Sequence, residues 1–184
     1  MKHYPDGRFL EYKFNRDIAQ RVVSYLVDRG YDASQLVPEL EDISLAERCR
    51  RVNTWCQEHG SRSAILVSIH ANAFGNGREW TSPRGWSVYT SKGQTRADLL
   101  ADDIATAAKK HLTMMPMRGD WADDDIDYEE GFYILRHTLC PAVIAENCFM
   151  TNPDDLMFLE SGVGKQKNIN LHVEGIVSFV MKQK

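Results

Sequence analysis

The chain has 184 residues, 43% of them apolar and 26% charged, with a net charge of −4. This length suits one domain with a sizeable core, and the composition excludes a disordered tail or a fibre. The acidic balance argues against nucleic acid as a partner, and no apolar run approaches the roughly 20 residues of a membrane helix.

The opening Met1-Lys2-His3 leads into no signal-like apolar stretch, so a soluble, monomeric chain without an export signal of its own is expected. Apolar residues at Phe14, Ile18, Val22, Tyr25 and Leu26 predict a helix from about Asn15 to Asp28, closed by Gly30. Ser44-Leu45-Ala46-Glu47 is a capping box. It opens a second helix with Leu45, Cys49, Val52 and Cys56 inward and Gly60 at its end. Ala64 to Ile69 has the continuous apolar, β-branched character of a buried parallel strand. A polar, glycine-rich loop covers Asn72 to Arg84, and Trp86, Val88 and Thr90 then alternate as a strand.

A long helix is predicted from Gln94 to Leu112, with Ala97, Leu100, Ile104, Ala108 and His111 inward. Seven acids without a base follow between Asp120 and Glu130. A solvated loop is the favoured reading; as a calcium loop it fits poorly, because Gly131 falls one place late for the sharp turn. Phe132 to Leu135 and Ala142 to Ala145 are expected to be two short buried strands. Asn152-Pro153-Asp154-Asp155 starts a helix with an N-cap, a proline and acids at the positive dipole end. Ile169, Val173, Ile176, Val177 and Val180 mark the last helix. The alternation predicts an α/β fold, a single three-layer domain with a mostly parallel central sheet flanked by helices. One feature departs from that plan: no strand precedes the first helix.

Four scattered cysteines do not make a disulfide scaffold. Cys49 and Cys56 stand about 10 Å apart along their helix axis and cannot bridge within it. Structural thiols in a reducing compartment are expected.

Parallel sheets gather functional side chains where their strands end. Here one predicted strand runs into His70-Ala71-Asn72 and another into Glu146-Asn147. An imidazole can bind zinc, and a carboxylate in a partly apolar pocket can take a proton from water. The competing reading, a satisfied histidine and a salt-bridged glutamate, weighs about equally on these residues alone. Trp80, Trp86 and Trp121 are candidates for stacking on a sugar, with core or loop-anchor roles weightier for each. Trp55 is assigned to packing.

Ser68-Ile69-His70-Ala71-Asn72-Ala73, preceded by Glu11-Tyr12-Lys13-Phe14-Asn15 and followed by Pro141 to Asn152, resembles the zinc-dependent N-acetylmuramoyl-L-alanine amidases of the amidase-3 family. Ser44 to Arg48 and Tyr133 to Arg136 extend the likeness, which spans about Glu11 to Phe179. It implies that His70 and Glu11 bind zinc and that Glu146 is the catalytic glutamate. It makes Asn72 and Arg136 substrate-contact candidates, beside Trp86. For Arg48, Asn72, Arg136 and Asn152 the weightier roles are capping, loop pinning and strand-end hydrogen bonds.

The family pattern opens with a strand ending in Gly-His-Gly, whose histidine is a zinc ligand, and this sequence has neither. Three accounts stand open: a truncated domain with Met1 internal, His3 as a replacement ligand, or a site without zinc. Truncation is favoured, with residues 1–184 forming one catalytic domain. An open catalytic zinc site takes three protein ligands and water, so losing one weakens binding severely. The resemblance implies a peptidoglycan hydrolase acting at the bacterial cell wall, reached by later release or through a signal lost with the N-terminus. The alternatives are a peptidoglycan-binding module with a degenerate site and a hydrolase of some other substrate sharing only the fold.

Overall fold

The computed structural model describes residues 9–120 and 125–183. Helix α1 (Glu11–Val27) leads through an extended segment to α2 (Leu45–His59), and β1 (Leu66–Asn72) and β2 (Ser87–Thr90) precede α3 (Arg96–His111). A short β3 (Tyr128–Glu129), α4 (Tyr133–His137), β4 (Ala142–Phe149), α5 (Pro153–Glu160) and α6 (Gly162–Lys182) complete the chain.

The four strands form one sheet in the order β1-β4-β2-β3. The β1–β4 and β2–β3 pairings are parallel, whereas β2 runs antiparallel to β4. The α/β class is as expected, and the sheet is mixed, with two of its three pairings parallel. Alternation divides its two faces. Ile69 and Ala71 join Phe14, Ile18 and Val22 of α1, and Val88, Val143 and Ala145 join Leu100, Ile104 and Phe179 of α3 and α6. On the opposite face Ala142 and Ile144 meet Cys49 of α2 and Ile134 and Leu135 of α4. Helix α6 approaches α3 so closely that a Cβ on Gly175 would fall 2.6 Å from the Ile104 Cα.

Several elements depart from the sequence reading. The run Phe132–Leu135 was expected to be a strand, yet Tyr133–His137 is helical, with the Arg136 N–H bonded to the Phe132 carbonyl at 3.1 Å. A four-residue apolar run carries no period that separates strand from helix, and adjacent Ile134 and Leu135 both reach the core from one helical turn. Tyr25 and Leu45 lie exposed rather than inward. Helix α1 buries only the every-fourth stripe Phe14, Ile18, Val22 and Leu26, and α2 only Cys49 and Cys56, two turns apart. All four cysteines are buried and free, and burial pushes the Cys140 thiol up to about 12, which makes it inert. Strands β1 and β4 also run further than expected, carrying His70 and Glu146 inside the ladder rather than just beyond it.

The acidic run is not simply a solvated loop. Ile126 and Asp127 are buried and Tyr128–Glu129 is paired into the sheet. Asp127 accepts a hydrogen bond from the Thr90 hydroxyl. Burial, joined by the charges of Asp125, Asp98 and Asp102, raises its carboxyl to about 6 against the effect of the Thr90 bond. The folded chain therefore binds this proton more tightly than the unfolded chain does. Stability falls as pH rises from about 4 to about 6, and the penalty is complete above that window. Asp127→Asn, which keeps an acceptor for Thr90, is expected to stabilise the fold at about pH 7.5 by about 1–2 kcal/mol, after discounting for solvent screening. Thermal melts at about pH 7.5 and about pH 4 check this, the second showing little difference.

Candidate active site

The parallel register pairs His70 of β1 directly with Glu146 of β4, so both side chains leave the same sheet face. The third member comes from a different element. Glu11 is the first residue of α1, where the helix dipole favours an acid. Its Oε1 lies 3.1 Å from His70 Nδ1 and also accepts from the Asn15 amide at 3.2 Å and the Ala71 N–H at 3.4 Å. The other ring nitrogen, Nε2, lies 2.9 Å from Ser68 Oγ. Burial alone would lower the His70 pKa, but the Glu11 hydrogen bond and the charges of Glu146 and Glu11 outweigh it and lift the imidazole, with Arg48 opposing. Burial alone would raise Glu11, yet its bonds to His70, Asn15 and Ala71 hold the carboxyl below its ordinary value.

The imidazole and carboxylate suit a divalent ion. Two ligands on one tetrahedral zinc, each about 2.0–2.1 Å from it, stand about 3.3 Å apart, close to the 3.1 Å between Glu11 and His70. Among the described residues no group of three or more His, Cys, Asp or Glu side chains completes a metal cage. His3 and Trp121 lie outside the described residues.

Beneath this face sits a polar group that sequence reasoning missed. Asn147 follows Glu146 and so points through the sheet, where it is fully buried. Its amide nitrogen donates to the carbonyls of His70, at 3.0 Å, and Ala145, at 3.2 Å. Its oxygen accepts from the Trp86 indole N–H at 3.1 Å and lies 3.2 Å from His172 Nε2. An indole can only donate, so this oxygen is an acceptor and His172 presents Nε2–H to it. Burial drives the His172 pKa down to about 3, leaving the ring neutral.

The remaining candidates separate. Trp86 is fully buried and spends its N–H on Asn147, which removes it as a sugar platform. Asn72 pins the following loop, its Oδ1 accepting from the Ala73 N–H at 2.8 Å. Arg136 precedes the β4 strand as expected, but it projects into solvent from α4 rather than from a strand end. Arg48 ties down the segment before α2 through the Ile43 carbonyl and Asp42. Asn152 caps α5 by accepting from the N–H groups of Asp154 and Asp155. Trp80 is exposed in a groove against Pro153 and Met157 of α5, and Trp55 stacks on His59 with centroids 4.3 Å apart.

The family model for N-acetylmuramoyl-L-alanine amidase matches residues 3–178. The chain belongs to this family. It is 28% identical over 177 residues to the N-acetylmuramoyl-L-alanine amidase LytC of Bacillus subtilis (strain 168), covering 92% of this chain and 31% of LytC. It is also 28% identical to the endolysin of Bacillus phage SPP1, covering 91% of this chain and 57% of the endolysin. The chain thus spans 31% and 57% of the length of these two relatives. Its fold is that of the solved N-acetylmuramoyl-L-alanine amidase from Clostridium difficile 630, with a TM-score of 0.80 at 22% identity, covering 100% of this chain and 91% of that one. AmiC2 of Nostoc punctiforme gives 0.78 at 22% identity, covering 97% and 88%.

In this amidase-family chain Asn147 holds the backbone of a site residue from behind. Asn147→Ala removes four hydrogen bonds at once, and is expected to cost about 2–4 kcal/mol. Urea unfolding of the two proteins measures it.

Proposed function

We propose that the chain is a peptidoglycan hydrolase that cleaves the amide between N-acetylmuramic acid and L-alanine, with zinc as its cofactor, acting at the bacterial cell wall. The observation that carries this reading is the convergence of Glu11, His70 and Glu146 on one face of the β1–β4 pair. Family membership supplies the bond, and relatives named as an amidase and an endolysin align along more than nine-tenths of the chain.

Glu11 and His70 would hold the metal. A bound zinc supplies Lewis acidity, which polarises an amide carbonyl and acidifies water. Ser68 steadies the imidazole through its second ring nitrogen, the kind of support that fixes a ligand's tautomer and orientation. Glu146 acts as general base and then general acid. Its carboxylate takes a proton from the water that adds to the lactyl carbonyl carbon. It passes that proton to the alanine nitrogen as the carbon–nitrogen bond breaks.

Purified sacculi incubated with the chain should release L-alanine amino groups without new reducing sugar ends, and a chelator should stop the release. Glu146→Gln should lower turnover by about 10²–10⁴-fold with metal content unchanged, whereas His70→Ala should lose the metal itself. Turnover by Glu146→Gln near that of the parent refutes its assigned role. Tight binding to sacculi with neither metal nor amine release identifies a binding module instead.

A further inference from the structure

The site face carries an aromatic wall that the chemistry above does not use. The antiparallel register sets Ser87 opposite Glu146 and Tyr89 opposite Ile144, so Ser87 and Tyr89 share the face of His70 and Glu146. Strand β3 adds Tyr128 opposite Tyr89. The Tyr89 and Tyr128 rings stack with centroids 5.3 Å apart, and Phe132 meets Tyr89 edge-on at 5.5 Å. Tyr89 is half-buried and close enough to Ser87, Asn72 and Glu146 to feel all three. Phe132 is 44% exposed although Ile134 and Leu135, its neighbours on α4, are buried. Core packing accounts for those two and leaves the Phe132 ring, outside its edge contact with Tyr89, open to solvent.

The face therefore runs from Glu11 and His70 through Glu146, across the small, fully buried Ser87, to a three-ring wall. We infer that Tyr89, Tyr128 and Phe132 form the subsite for the muramyl sugar ring, an inference that rests on the amidase reading for its substrate. A pyranose offers a flat C–H face to aromatic rings and hydroxyl or acetamido groups to a phenol. The stem peptide is the poorer occupant here. The exposed Glu130, two residues past Tyr128 and bonded through its N–H to the Thr90 carbonyl, makes this edge acidic and repels peptide carboxylates, whereas Arg48 lies toward the His70 side. The scissile amide then sits over Glu146 with its sugar toward β3 and its peptide toward β1 and α2.

The test measures equilibrium binding by calorimetry to the full chain carrying Glu146→Gln, with and without Phe132→Ala. The probes are an N-acetylmuramyl peptide and the same peptide acylated with lactate alone. Loss of one aromatic platform should weaken the sugar-bearing probe about tenfold and leave the sugar-free probe unchanged. Equal losses on both probes, or no loss on either, overturn the subsite. Turnover by the parent chain is scored separately. Phe132-dependent sugar binding without hydrolysis overturns the amidase reading and leaves the subsite standing.

Discussion

Asn147 makes four hydrogen bonds from a position with no access to water, and one of them holds the His70 carbonyl across the β1–β4 pair. An unmade bond there would leave a buried polar group unpaid by solvent, so the strands cannot slip without breaking the set. A slip of one residue would send His70 to the helix-covered face and Glu146 out of line with it. The in-register pairing of His70 with Glu146 is thus fixed from the side opposite the chemistry. Its anchors, Trp86 and His172, come from β2 and α6. The geometry of the His70–Glu146 face depends on a network buried on the other side of the sheet.

With the strands locked, Glu11 can be supplied by a helix. Its position at the first turn of α1 lets one carboxylate accept from the Ala71 backbone, the Asn15 side chain and the His70 ring together. The every-fourth apolar stripe of α1 packs this helix against β1, and the Glu11 contact to Ala71 registers it lengthwise. Three elements separated in sequence therefore place a carboxylate, an imidazole and a second carboxylate on one surface. The carboxylate held low and the imidazole held high reflect one shared proton-ordering contact, with His70 donating and Glu11 accepting.

Much of this was legible in the residues. The helix stripes, the Ser44 and Asn152 caps and the strands leading into His70 and Glu146 followed from period and capping chemistry, and the family likeness drew Glu11 into the same group. What escaped was set by tertiary pairing. Whether Phe132–Leu135 is strand or helix depends on what Ile134 and Leu135 bury against, which four residues do not reveal. For Trp86 the weightier core role and the lesser platform role both stay open until the burial of its ring beside β2 decides for the core. Tyr89, Tyr128 and Phe132 carry no common motif, because they meet only through the β2–β3 register and the turn into α4. The capping box at Thr95 and Asp98 was available in the sequence, and it begins α3 at Arg96, two residues later than the expected Gln94.

The end of β4 shows why the site lies where it does. Past His70 and Glu146 the register shifts, so that Asn72 pairs with Phe149, and Cys148 takes a φ of +67°. Such a backbone costs a non-glycine residue on the order of 1–2 kcal/mol and persists only where its surroundings over-determine it. Here Asn147 holds one side, and Asp155 holds the other. The fully buried Asp155 carboxylate accepts from the Phe149 N–H at 3.0 Å, the Gly85 N–H at 2.8 Å and the Arg84 guanidinium at 3.2 Å. A bulge ends regular pairing and redirects side chains. This one comes immediately after Glu146, so that the last regular pair of the ladder is His70 with Glu146. The unusual backbone thus follows directly on the His70–Glu146 pair, and two buried polar anchors, one amide and one carboxylate, keep it from relaxing.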